Sequence, residues 1–379
     1  MEEEKKINEI EKPKLDKRKQ FLNIAFILIV FVGIFTYMIR AEGIDNLAKM
    51  ITEVDRKWII AGMVCLFLMW LCDSINLHVM IKRLYPDQKF TNSIKVTMIG
   101  NLFSDLTPSS SGGQPMQAYY LAKTGKKTSD SFSILMMKFV ITQATLIILT
   151  IVIGISQFSF FATVLKQYTW IGVFGIILNV GLLVFIILAG LKEGFLIKIS
   201  DPIINFLAKI KIGKHRLIKD VDKATKKYND GVINFSEQFI KMKDQKGFIA
   251  EIAIIGLIQS ALYYAITYTV YKSMGNSGAN IFQIIVLQAF LQLIMTFTPT
   301  PGAGLGAEGG FYILFNSIFQ KGSIGMSILF WRMYTFYLPI IIGALFMIPT
   351  KEERTIRKRE KMIEKENKKI YNNQKENKD

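Results

Sequence analysis

The sequence predicts an all-α polytopic membrane protein: six full transmembrane helices plus two oppositely oriented re-entrant helical hairpins, arranged as an inverted repeat. Counting the hairpin arms as true crossings gives the alternative of eight to ten spans. Three observations lead to this reading. Apolar runs near twenty residues recur along a chain of 379 residues that is 51% hydrophobic, and such runs are long enough for roughly 30 Å of hydrocarbon. Two clusters of helix breakers, Thr107 to Pro115 and Thr298 to Gly310, each interrupt an apolar run. Lys and Arg gather in some connections and avoid others, which orients the spans.

The elements follow in order. Residues 1–20 form a charged cytoplasmic segment, and span one at 21–39 reads as a retained anchor because no small-residue cleavage site follows it. Spans at 58–79, 132–156 and 169–190 complete the first membrane half, 21–190, with a hairpin at 94–122. A basic cytoplasmic linker occupies 191–247. Within it Leu207, Ile210, Ile212 and Leu217, set among lysines, suit an interfacial helix on an anionic lipid surface. The second membrane half, 248–348, holds spans at 248–271 and 327–348 and a hairpin at 281–320. A basic cytoplasmic tail, 349–379, closes the chain.

Charge fixes the sidedness. Residues 1–20, 80–95, 123–131, 191–247 and 351–379 are rich in Lys and Arg, whereas 157–168, 272–280 and 321–326 carry only Lys166, Lys272 and Lys321. Both termini are therefore cytoplasmic. The connections flanking 94–122 are both basic, so that hairpin enters from inside. Those flanking 281–320 are both poor in basic residues, so the second enters from outside. Broken backbone survives in hydrocarbon only where protein or a wet cavity satisfies it. Paired interrupted helices in corresponding places point to a transporter's binding site.

The net charge of +17 sits next to the spans, where it serves topology and attraction to anionic lipid. Nucleic acid is not an expected partner. Cys65 and Cys72 read as small buried hydrophobes, and His78 and His215 have no ligand spacing, so neither metal nor cofactor is expected. No GxxxxGK[ST] loop is present, which excludes a P-loop pump. Charged side chains at membrane depth mark function or partnership: Asp73, Asp105, Lys138, Glu251, Glu308 and Arg332. Glu308 lies near the second hairpin's tip, where it could pair with a cation or cap a helix. Arg332, expected near the outer end of its span, suits a lipid phosphate or Glu308, or could snorkel. Asp105 is the acidic candidate of the first hairpin. Asp73 belongs to a polar helix face, and Lys138 snorkels or faces the cavity. Ser109 to Ser111 with Gly112 and Gly113 could form an amide nest for phosphate. Gly302 and Gly304 would likewise leave amides open to an anion. Gln114, Gln117, Gln143, Gln259, Gln288 and Gln292 add neutral polar groups.

Gly100-Asn101 through Thr107-Pro108-Ser109, Gly112-Gly113-Gln114-Pro115, Ala118-Tyr119-Tyr120-Leu121, Thr300-Pro301-Gly302 with Gly304, Gly306 and Glu308, and Trp331-Arg332 through Tyr334, Leu338-Pro339 and Gly343 together resemble the flippase-like family, the transmembrane region of lysylphosphatidylglycerol synthase. The resemblance spans 21–348. It implies a bacterial cell-membrane protein handling a lipid head group, and in two-part members a cytosolic domain that transfers lysine from lysyl-tRNA to phosphatidylglycerol and confers resistance to cationic peptides. Here only a 29-residue tail follows. Gln117 stands where many members carry Arg, and Lys138 where a second Arg is found. The expected function is a flippase-like transporter of a phospholipid, such as aminoacylated phosphatidylglycerol, or of another lipid-linked head group. A phosphatidylglycerol lysyltransferase, using charged tRNA, and a small-solute or ion transporter are the alternatives. Membrane phospholipid is the expected partner, with a homo-oligomer allowed.

Overall fold

A computed structural model describes residues 36, 54–156, 169–192, 194, 197–198, 211–212, 215–216, 221–296, 298–320 and 323–348. Span one, the N-terminal segment, the tail and much of the linker lie outside the described residues. The described chain is helical apart from a two-residue antiparallel pair, β1 (Lys211–Ile212) with β2 (His215–Arg216). Ile212 pairs with His215 there, so the interfacial helix expected across 207–217 does not form at this point.

The first long helix, α1 (Arg56–Leu84), starts on Asp55, whose carboxylate accepts from the Lys57 amide at 2.9 Å. That bond satisfies one of the open amides of the first turn. Lys82 and Arg83 close the helix, where cations complement its dipole. Helices α2 (Phe90–Leu106) and α3 (Gly113–Lys123) flank the first breaker cluster, and α4 (Thr128–Ser156) and α5 (Thr169–Leu191) follow. After the linker come α6 (Val221–Lys243) and α7 (Lys246–Ser273). Helices α8 (Ile281–Thr296) and α9 (Gly304–Phe315) flank the second cluster. The last run is α10 (Ile324–Arg332), a π-helical turn over Met333–Tyr337, and α11 (Leu338–Phe346).

Among the described residues four helical stretches are long and apolar enough to cross a membrane: 56–84, 128–156, 246–273 and 324–346. Phe174–Leu188 and Ile281–Thr296 are shorter apolar helices. Their outward faces are apolar in helical register. Ile60, Val64, Phe67, Leu68 and Leu71 are exposed on α1, and Ile148, Ile151, Val152 and Ile155 on α4. Continuous apolar stripes of this kind face lipid rather than water.

One unit recurs: a long helix, a helix pair broken at its centre, then another long helix. It comprises α1, α2/α3 and α4, and again α7, α8/α9 and α10–α11. The two leading helices, α1 and α7, pack along each other. Gly62 permits this, because a Cβ there would lie 2.8 Å from Thr269 Oγ1. In membranes small residues let helices approach and gain dispersion contact. Helix α11 packs on α2 in the same way at Gly343, where a Cβ would come within 2.7 Å of Leu102 Cβ and the Met98 carbonyl.

Contacts sort the helix ends into two groups. At one end Arg83 stacks on Phe248, Phe132 meets Phe235, the Tyr85 hydroxyl donates to Asp130 at 2.7 Å, and Lys95 Nζ donates to the Ile348 carbonyl at 3.0 Å. At the other, the Asp55 amide donates to the Ser273 carbonyl at 3.0 Å and the Gln320 amide to Asn276 Oδ1 at 3.0 Å. Helix α6 belongs to the first end. It buries Val232, Phe235 and Phe239 against α4 and α5, so this part of the linker is docked rather than a loose connector.

Candidate functional site at the meeting of the broken helices

The two breaks meet. Pro108 and Pro301 lie opposite each other as an antiparallel bridge, and Ser109 Oγ donates to the Thr298 carbonyl at 3.5 Å. In the first break Ser109 and Ser110 take left-handed backbone (φ 50 and 54). Of the amide nest expected over Ser109 to Gly113, the three central donors are engaged within the turn. The amides of Ser110 and Ser111 donate to the carbonyls of Thr107 and Pro108 at 3.2 and 3.1 Å, and that of Gly112 donates to Thr107 Oγ1 at 2.8 Å. Gly113 lies against Ser104, where a Cβ would be 2.1 Å from the hydroxyl oxygen.

The second break has the opposite polarity to the one expected. Gly302 (φ 58) and Ala303 (φ 51) are left-handed, and a Cβ on Gly302 would collide with Phe336 at 2.1 Å. The Ala303 and Gly304 amides donate inside the turn, to the Thr300 and Pro301 carbonyls at 2.9 and 3.2 Å. The carbonyls of Gly302 and Gly304 are what the break presents. Arg332 takes both, through Nη1 at 2.8 Å and Nη2 at 3.1 Å, while its Nε sits 3.4 Å from Glu308 Oε1. The tip therefore receives a cation instead of offering amides to an anion.

Arg332 is 3% exposed. It neither snorkels nor lies open to a lipid phosphate. The π-helical turn begins directly after it. The Leu338 amide reaches back to the Met333 carbonyl, and Pro339, lacking an N–H, cannot restore the α-helical bond one residue on. Such wide turns recur at functional sites. Glu308 stands in the second turn of α9, with Ala303 as N-cap, so it is not the cap. Its side chain is 41% exposed. Asp105, on the last turn of α2, and Tyr263, on α7, lie within electrostatic range of Arg332.

A cavity of roughly 230 Å³ lies between α1, α3 and α4 of the first unit and α7 of the second, and reaches the first turn after the first break at Gln114. Asp73, Gln117 and Lys138 line it. Asp73 and Lys138 form an ion pair, with side chains 11% and 12% exposed. Lys138 thus reaches inward and does not snorkel. Gln117 is 7% exposed and presses on Gly100. Glu251 is exposed and takes no part. Gln114, Gln143 and Gln259, expected as neutral polar groups at membrane depth, also line it, and Phe139, Thr142 and Ser260, which were not singled out, join them. A signal for them exists. Residues 135, 138, 142, 143 and 146 recur at helical spacing on α4, and 256, 259 and 260 on α7. One turn beyond Gln259 on the same face stands Tyr263, which links the cavity wall to the Arg332 cluster. Among the described residues no group of His, Cys, Asp and Glu gathers as a metal site.

Paired broken helices, apolar outward stripes and a polar cavity lined from both units define a multi-pass membrane protein. The chain belongs to the family described as the lysylphosphatidylglycerol synthase TM region, which matches residues 21–343. It is similar to a UPF0104 membrane protein of Methanocaldococcus jannaschii, with 24% identity over 352 residues, 90% of this chain and 97% of that protein. It is also similar to a UPF0104 membrane protein of Archaeoglobus fulgidus, with 20% identity over 299 residues, covering 73% and 81%.

Proposed function

We propose that this protein moves a lipid between the leaflets of a membrane, with the head group passing through the polar cavity while the acyl chains stay in the bilayer. The observation that carries the proposal is the meeting of Pro108 with Pro301, with that cavity reaching the first turn after the first break. The second arms of the hairpins, α3 and α9, have 11 and 12 residues. At 1.5 Å per residue they reach about 17 and 18 Å, too short for roughly 30 Å of hydrocarbon. Basic connections flank only the first hairpin, so in this reading the two tips that meet enter from opposite faces. Counting the expected span one with the first unit and α5 with the second gives each three full crossings: span one, α1 and α4, then α5, α7 and α10–α11. An odd count inverts the second unit and leaves both termini cytoplasmic. Rocking of one unit on the other alternates access to the cavity.

Within this scheme Arg332 holds the second tip, paired with Glu308 and with Asp105 close by. Asp73, Lys138 and Gln117 contact the head group. The test is reconstitution in liposomes with leaflet-specific head-group labelling, comparing phosphatidylglycerol, lysyl-phosphatidylglycerol and a glycosyl-diacylglycerol. The expected result is movement of at least one lipid well above protein-free vesicles, slowed by Glu308→Gln. Equal rates with and without protein for every lipid would reject transport, and equal rates in wild type and Glu308→Gln would reject the site.

A further inference from the structure

The lining of the cavity is chemically lopsided. Its only charges, Asp73 and Lys138, are paired with each other. The remaining polar groups are neutral amides and hydroxyls: Gln114, Gln117, Gln259 and Ser260, with the Gln143 amide donating to Asn179 and the Thr142 hydroxyl donating into its own helix. Gln117 is buried to 7% exposure, lines the cavity and makes no hydrogen bond to any described protein group. The buried oxygen of Gln259, also in the lining, has no partner either. Buried polar atoms left unpaired are costly and call for a partner.

From this lining we infer that the cavity seats a neutral, polyhydroxylated head group the size of one sugar ring. The inference rests on reading the cavity as the head-group seat. Each hydroxyl of a sugar both donates and accepts, and each amide offers two donors and an acceptor, so the two match without net charge. Phe139 supplies a flat apolar face for the C–H side of a ring. The volume of roughly 230 Å³ falls below the ~300–1,000 Å³ of drug-sized pockets and suits a single ring. A cationic or anionic head group fits worse, because it must break the Asp73–Lys138 pair and strand one charge in a buried place.

The probe is monomeric hexyl glucoside, measured as saturable binding to the full chain in nanodiscs against empty nanodiscs. Hexylammonium and hexyl phosphate serve as charged counterparts. Saturable glucoside binding is expected, weakened at least about tenfold in Gln117→Leu, whose thermal midpoint should not fall because the lost amide has no protein partner. Gln259→Leu gives a second reading should the first variant fail to fold. Glucoside binding equal in wild type and variants overturns the inference, as does absence of glucoside binding or saturation by either charged probe alone. Lipid movement without glucoside binding defeats only this inference. Glucoside binding without movement of any lipid defeats only the transport reading.

Discussion

At the scale of single residues, two buried charges define the site, and each depends on a partner far away in sequence. Asp73 and Lys138 stand 65 positions apart and satisfy each other. Removing one leaves an uncompensated buried charge, at about 3–5 kcal/mol, whereas replacing both with apolar residues is often neutral. Asp73→Asn and Lys138→Met are therefore expected to lower stability strongly, and Asp73→Leu with Lys138→Met much less. A double-mutant cycle by chemical unfolding in detergent reads the coupling. Arg332 is the second case. Its planar fork meets two carbonyls that a point charge cannot bridge in the same way. Arg332→Lys should cost about 1.5–3 kcal/mol, read by the same unfolding, and should slow lipid movement. The sequence marked both groups as charges at membrane depth. It offered Glu308 as a partner for Arg332, but neither the Asp73–Lys138 pair nor the carbonyls of the Gly302 break, whose exposure is decided by two successive left-handed residues and by a side chain 30 positions on.

At the scale of elements, close glycine contacts hold the broken pairs together. A Cβ on Gly306 would lie 2.0 Å from Thr298 Oγ1, while Gly309 has nothing within 4 Å. Gly306→Val is expected to cost about 1–3 kcal/mol by overpacking. Gly309→Ala should be neutral or stabilise by about 0.5–1 kcal/mol, as replacing glycine inside a helix does. Thermal unfolding of the two variants side by side checks this. Helix α6 is docked by Phe235 and Phe239, and Phe239→Ala should cost about 3–5 kcal/mol and raise hydrogen exchange across 221–243 selectively. The breaks were legible because Pro108, Gly112, Pro301 and Gly302 cannot continue a helix, and the observed ends fall within a few residues of the expected ones. The apolar spacing of Val232, Phe235 and Phe239 was also present, but the surrounding lysines masked it as linker. The π-helical turn left no such trace. Pro339 was visible, yet the wide turn depends on how Tyr334 and Tyr337 are buried.

For the whole molecule, two units meet at their broken tips, and helices of both line a polar cavity. Basic residues already sorted the connections into two sets, and contacts among the helix ends group Arg83, Phe132, Phe235 and Phe248 at one end. The two breaker clusters were expected to converge; what could not be read was the particular pairing of Pro108 with Pro301 across 193 positions. Residues opposed in an antiparallel bridge have Cα atoms about 4.5–5.5 Å apart, within the reach of a disulfide. The most direct measurement is therefore oxidation of a Pro108→Cys/Pro301→Cys protein, with Cys65 and Cys72 replaced by Ser, in native-like membranes. A disulfide that forms readily, arrests lipid movement and releases it on reduction is the expected result. Failure of the pair to cross-link, with each cysteine labelled freely from water on opposite sides of the membrane, would contradict the account.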